Sequence, residues 1–107
     1  MTQLSIYMTA PDHDTAVKIA RIVITEQLAA CVNILGAITS VYRWEGKVQE
    51  EDEVALIAKT TAARFPALAA RVKALHPYQV PCIVAWPIAA GHQPYLDWIS
   101  AETAIPS

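Results

Sequence analysis

Three side chains in this sequence carry soft-metal donors at positions a small fold can gather: the thioether of Met8, the imidazole of His76 and the thiol of Cys82. Thioether, imidazole and thiolate together form a donor set suited to Cu(I). Each residue also has a plainer role. Met8 and Cys82 sit in apolar strand stretches, where both serve as core residues. His76 ends a helical stretch, where it can hydrogen-bond the last carbonyls and, when protonated, favour the negative end of the helix dipole. Those packing and capping roles are the default, and the soft-metal set is the sharper alternative.

A second group is aromatic and basic: Tyr42, Trp44, Lys59, Trp86, Tyr95 and Trp98. Aromatics of this kind fill cores and interfaces. Lys59 stands apart, because a lysine that ends an apolar strand among aromatics can point into an intersubunit cleft and hold an anion. Interface packing is the first reading of the group and ligand binding the second. Catalytic signatures are missing. The chain has three glycines, Gly36, Gly46 and Gly91, so it has no phosphate-cradling loop, and neither His-Glu-x-x-His nor Cys-x-x-Cys spacing occurs. The run Glu50-Glu51-Asp52-Glu53 reads as a solvated arm rather than an acid–base pair, which needs carboxylates in contrasting environments within a cleft.

The element that must position these residues is Ala30 to Thr61, read as one long β-hairpin turning at Glu45-Gly46, where Gly46 supplies a positive φ. Ser40, Tyr42 and Trp44 share one face of the incoming arm, and Thr39, Val41 and Arg43 share the other. The outgoing arm is charged first and apolar from Val54 to Ala58. Each arm exceeds the usual strand of about five or six residues, so the tip projects beyond any body the rest of the chain can build. Exposed aromatics and unpaired backbone on such a ribbon call for cover from another chain, so an obligate oligomer is expected.

Around the hairpin, alternation at Leu4, Ile6 and Met8 predicts a first strand ended by Pro11. Asp12 or Asp14 caps a helix running to about Leu28, with Ala16, Ala20, Val23 and Ile24 on its apolar face. Phe65, Leu68, Val72 and Leu75 recur at helical spacing before Pro77. Cys82 to Trp86 reads as a fourth strand, and Pro94 opens a short helix carrying Tyr95, Leu96, Trp98 and Ile99. The order strand, helix, strand, strand, helix, strand is the split βαβ arrangement of ferredoxin-like α+β domains: an antiparallel sheet with two helices on one face.

At 107 residues the chain is one domain, residues 1–107. Its charged share of 17% lies below the usual quarter, which suits a protein that hides more surface than a monomer does. A net charge of −2 without a basic stripe gives nothing to neutralise a phosphate backbone, which argues against nucleic acid as a partner. The opening residues show no basic leader or signal-length apolar run, and no stretch reaches the roughly eighteen apolar residues of a membrane span. Two cysteines make no disulfide framework, so cytoplasmic residence is expected.

The segments ACVNI, SVYRWEGKVQEEDEV, AKTT, LHPYQVP and YLDWI, in this order and at these spacings, resemble the divalent-cation tolerance proteins of the CutA family over nearly the whole chain. The resemblance implies a ferredoxin-like protomer in a tightly packed homotrimer, similar to the trimeric PII signalling proteins, with no established enzymatic activity. It also implies a link to divalent metals and to copper. The family's proposed copper ligands, a strand cysteine and a histidine pair, fall here on Met8, Leu75 and His76. Met8 can ligate Cu(I) and Leu75 cannot ligate, so Cu(I) is favoured over Cu(II), with Cys82 either a substitute donor or an unrelated core residue. The alternative is a PII-like sensor binding a small anion in an intersubunit cleft near Lys59, Tyr42, Trp44, Tyr95 and Trp98.

Overall fold

A computed structural model describes residues 2–105. The chain runs β1 (Gln3–Ala10), α1 (His13–Thr25), β2 (Cys31–Trp44), β3 (Lys47–Thr61), α2 (Phe65–Leu75), β4 (Ile83–Pro87) and α3 (Gln93–Glu102). All strand pairs are antiparallel, in the sheet order β2-β3-β1-β4. β3 therefore lies between β1 and β2, the split βαβ arrangement expected from the element order.

Alternation along β1 divides the sheet into two faces. Ile6, Met8 and Ala10 are buried and join Ala16, Ile19 and Val23 of α1, Leu68 and Val72 of α2, and Val54, Leu56 and Ala58 of β3 in one core. Gln3, Ser5, Tyr7 and Thr9 point to the opposite, outer face. There α3 is tied to the start of β1, where Gln3 Nε2 donates to Ser100 Oγ at 3.0 Å and to the Leu96 carbonyl at 3.4 Å.

The helix boundaries follow local chemistry. Asp12 caps α1 by accepting from the Thr15 amide at 2.8 Å. α1 stops at Thr25, short of the predicted Leu28, because Gln27 adopts φ 58° and turns the chain back. The Leu28 amide then bonds the Val23 carbonyl at 2.8 Å, a left-handed helix stop built without glycine. The buried stripe of α1 is Ala16, Ile19 and Val23, whereas Ile24, expected on the apolar face, is exposed. β4 begins one residue later than predicted and extends to Pro87.

The hairpin is as long as its sequence suggests. β1 pairs with β3 only from Val54 to Thr61, while β2 and β3 continue together from Ile38↔Glu53 to Trp44↔Lys47. Beyond Val54 the ribbon has no third strand among the described residues. A bulge at Leu35, between the pairs Ile34↔Leu56 and Gly36↔Ala55, inserts one unpaired residue into β2. The bulge reverses the alternation. Val32 and Ile34 pack on the core, but Ser40, Tyr42 and Trp44, also even-numbered, lie on the outer face with Gln49, Glu51 and Glu53.

At the tip Glu45 and Gly46 have φ 51° and 80°, the pair of positive φ values of a two-residue type I′ connection. No atom lies within 4 Å of a Cβ built on Gly46, so conformation alone constrains that position. Gly46→Ala is expected to destabilise the protein by roughly 1–2 kcal/mol in urea unfolding. Glu45→Asn is expected to stabilise it slightly, and equal midpoints for both variants would show that the turn geometry differs.

Candidate functional site

The bulge places the ribbon's outer face opposite the α2–β4 connection, and a cavity of about 700 Å³ opens between them. β1 supplies Tyr7 and Thr9, the ribbon supplies Ser40, Tyr42, Trp44, Gln49, Glu51 and Glu53, and the connection closes one side with Pro77 to Val80 and Cys82. Among the described residues, Glu51 and Glu53 are the only carboxylates on the lining, and no lysine, arginine or histidine joins them.

His76 anchors the connection. Its Nε2 lies 2.8 Å from the Thr9 carbonyl, and its Nδ1 accepts from the Tyr78 amide at 3.1 Å. A carbonyl can only accept, so the proton sits on Nε2 and the lone pair of Nδ1 receives the amide. The His76 and Tyr78 rings pack with centroids 4.7 Å apart. His76 is thus a buried brace between β1 and the loop, and neither ring nitrogen is spare.

Burial raises the Tyr78 phenol to about 12, with further contributions from the charges of Glu53 and Glu51 and a hydrogen bond to Glu53. The Tyr42 phenol is raised first by its hydrogen bond to Glu51, then by burial and by the charges of Glu51 and Glu53. Burial and the Glu53 charge also push the Cys82 thiol up, which favours its neutral form. Glu53 is 7% exposed, although it ends a run read from sequence as solvated. The regular alternation of β3, with Val54, Leu56 and Ala58 in the core, puts Glu53 on the outer face near Tyr78, and the Leu35 bulge brings Ile38 of β2 to the same face.

The soft-donor residues do not converge as one set within the protomer. Met8 is 1% exposed in the core on the helix side of the sheet, whereas Cys82 lines the cavity on the outer side. His76 bonds Thr9 and Tyr78, so its nitrogens are committed to the backbone. Leu75 is packed against the core. Among the described residues, no three His, Cys, Asp or Glu side chains are grouped to hold a metal ion.

The aromatic and basic group is divided between the two ends of the outer face. Tyr42 and Trp44 line the cavity. Lys59 pairs with Cys31 at the other end, where its Nζ donates to Asn33 Oδ1 at 3.5 Å. The Tyr95 phenol is raised by burial and by its neighbour Cys31, and the Tyr95 ring lies 5.5 Å from Trp98. The convergence of Gln49, Glu53 and Tyr78 escaped sequence reading because it depends on the loop held by His76.

A model for the CutA1 divalent ion tolerance protein family matches residues 4–102. The chain is 52% identical over 98 residues to the divalent-cation tolerance protein CutA of Thermus thermophilus, covering 92% of this chain and 95% of that protein. It is 42% identical over 97 residues to mouse protein CutA, covering 91% of this chain but only 55% of the longer mouse protein. A solved divalent cation tolerance protein from Thermus thermophilus superposes with a TM-score of 0.93 at 50% identity, over 95% of this chain and 99% of that one.

The cavity's electrostatics have a measurable consequence at high pH. A tyrosine whose folded pKa is raised contributes stability that is complete below its unfolded value near 10 and is lost as pH rises through about 12. Spectroscopic base titration should show Tyr78 ionising late, with unfolding favoured across that window. Glu53→Gln should move this ionisation part of the way down, because burial, the larger cause, remains. An unaltered titration in Glu53→Gln would show that the carboxylate does not face Tyr78.

Proposed function

The chain belongs to the CutA1 divalent ion tolerance protein family, and on that premise we propose that it acts as a non-enzymatic homotrimer in the response to divalent metal ions. The observation that carries the assembly is the ribbon beyond Val54, which continues past β1 with no third strand among the described residues. Apolar surface on the same sheet supports it: Trp44 at the tip, and Val84 and Trp86 on the edge strand β4, are all exposed, at 40%, 47% and 51%. Two such edges per protomer favour strand-to-strand contact between copies. The free thiols Cys31 and Cys82 support residence in the reducing cytoplasm.

The three-donor copper set needs rearrangement to form, since Met8 and Cys82 face opposite sides of the sheet and His76 has no free nitrogen. Copper binding is therefore proposed at Cys82, the one soft donor of the three that lines the cavity. Binding of Cu(I) there would displace the thiol proton, because a coordinated thiol is deprotonated.

The second reading, a PII-like sensor, rests on Lys59. Among the described residues Lys59 has no ion-pair partner; it pairs with Cys31 across the strands and donates to Asn33, and Tyr95 lies beside Cys31. It lies ten residues along β3 from Gln49, on the order of 30 Å in an extended strand. A cleft holding Lys59 together with Tyr42 and Trp44 must therefore be shared between protomers. An anion bound there would have the aromatics of one copy and the lysine of the next.

Sedimentation of the intact protein is expected to give a trimer that Trp44→Ala converts to monomer or aggregate. Interface anchors of this type cost about 2 kcal/mol or more when truncated. A Trp44→Ala trimer of unchanged stability would remove the ribbon from the interface. Ligand titration separates the two readings. Anaerobic Cu(I) competition should show binding lost in Cys82→Ser and kept in Met8→Leu, whereas a thermal shift with carboxylates or phosphates that Lys59→Gln abolishes would favour the sensor.

A further inference from the structure

The connection from Pro77 to Cys82 is fastened chiefly through one residue. Pro77 and Pro81 have no amide hydrogen, and among the described residues none of the backbone–backbone hydrogen bonds outside the helices and the sheet involves residues 77–82. Tyr78 supplies the attachments. Its amide donates to a side chain, His76 Nδ1, at 3.1 Å, its ring lies 4.7 Å from the His76 ring between centroids, and its phenol bonds Glu53 on the ribbon. The neighbours of Tyr78 add little, since Pro77 and Gln79 are exposed and Val80 is 67% exposed. A segment with few backbone bonds and little buried apolar surface opens at a free energy well below that of global unfolding.

Hollows lie on both sides of this segment. In front is the cavity of about 700 Å³ shared with the ribbon, and behind it a second, of about 400 Å³, lies among Gln79, Val80 and Pro81 of the connection and Ala69, Ala70 and Lys73 of α2. Methyl side chains at positions 69 and 70 leave that rear space unfilled, so the connection has room to move toward α2 once Tyr78 is released. At its far end stands Cys82, half-buried and lining the front cavity. In the proposed assembly a neighbouring copy covers the ribbon, so the wall of the cavity that the chain itself can move is this connection.

We infer that the Pro77–Cys82 connection is a gate latched by Tyr78, which swings back toward Ala69 and Ala70 and admits small solutes to Cys82 while the protein stays assembled. His76 is a positioning residue here: it holds the Tyr78 amide and thereby the closed position. The gate deepens the Cys82 copper reading and rests on it for the identity of the solute, Cu(I). Opening itself needs no metal.

The test is alkylation of Cys82 in the intact protein by iodoacetamide, a small neutral reagent, followed at one pH by peptide mass spectrometry. Cys82 is expected to react at a rate independent of protein concentration. Tyr78→Phe removes a hydrogen bond to a carboxylate and is expected to speed the reaction by about tenfold. The Glu53 charge that raises the thiol remains in that variant, so a faster reaction reports access. Loss of the phenol also costs stability, so Ala70→Leu serves as the second variant. It fills the rear hollow from an exposed helix position that leucine suits, and it is expected to slow the reaction without lowering the melting temperature. A wild-type rate that falls as protein concentration rises would place access in dissociation, and a wild-type rate in Tyr78→Phe or in Ala70→Leu would make the wall fixed; each of these overturns the gate. Failure of Cu(I) to bind, with alkylation behaving as expected, overturns the copper reading and leaves the gate supported.

Discussion

The structure depends on a two-stranded ribbon that outruns its sheet. β2 and β3 remain paired from Ile38↔Glu53 to Trp44↔Lys47, but β1 has already ended at its pairing with Val54. Each backbone group on the vacated edge of β3 needs a partner, and a two-stranded ribbon is marginal in water by itself. The chain gives the ribbon cover on one side only, through the Pro77–Cys82 connection, and that connection is held in place by His76. The elongated protomer, 44 × 26 × 22 Å, is the outcome. The cavity and the exposed aromatics follow from this excess length, and the proposed assembly rests on it.

His76 shows how one residue can suit two chemistries and commit to one. A histidine at a helix end beside a strand invites a metal-site reading, yet here both nitrogens serve the backbone, one donating to β1 and one accepting from Tyr78. That brace sets Tyr78 beside Glu53, so the loop conformation and the raised Tyr78 phenol are linked. Burial then keeps Tyr78 and Cys82 in their neutral forms, which leaves the cavity with acceptors and ring faces and without a cation of its own.

Much of the fold was legible because its signals are local. Alternation in β1, the Glu45-Gly46 turn, the Leu68 and Val72 spacing of α2 and the Pro94 start of α3 each set an element from a few residues. The positive φ of Gln27 was not legible, because a glutamine gives no hint of a left-handed helix stop, and α1 ends early as a result. The bulge at Leu35 was invisible for a related reason: no glycine-rich pattern marks it beyond Gly36, yet it exchanges the faces of everything downstream. The site residues are grouped otherwise than sequence reasoning had them: Tyr42 and Trp44 line a cavity with Cys82 rather than with Lys59, Met8 faces the core, and Glu53 is buried rather than solvated.

Amide hydrogen exchange along residues 47–53 tests most directly whether a neighbouring copy completes the ribbon. A covered ribbon has both edges of β3 hydrogen-bonded, so successive amides from Val48 to Glu53 should all exchange slowly in the intact protein, and Trp44→Ala should release them together. An uncovered ribbon is bonded to β2 alone. Protection would then alternate residue by residue at every protein concentration, and that pattern would contradict the assembly on which the account rests.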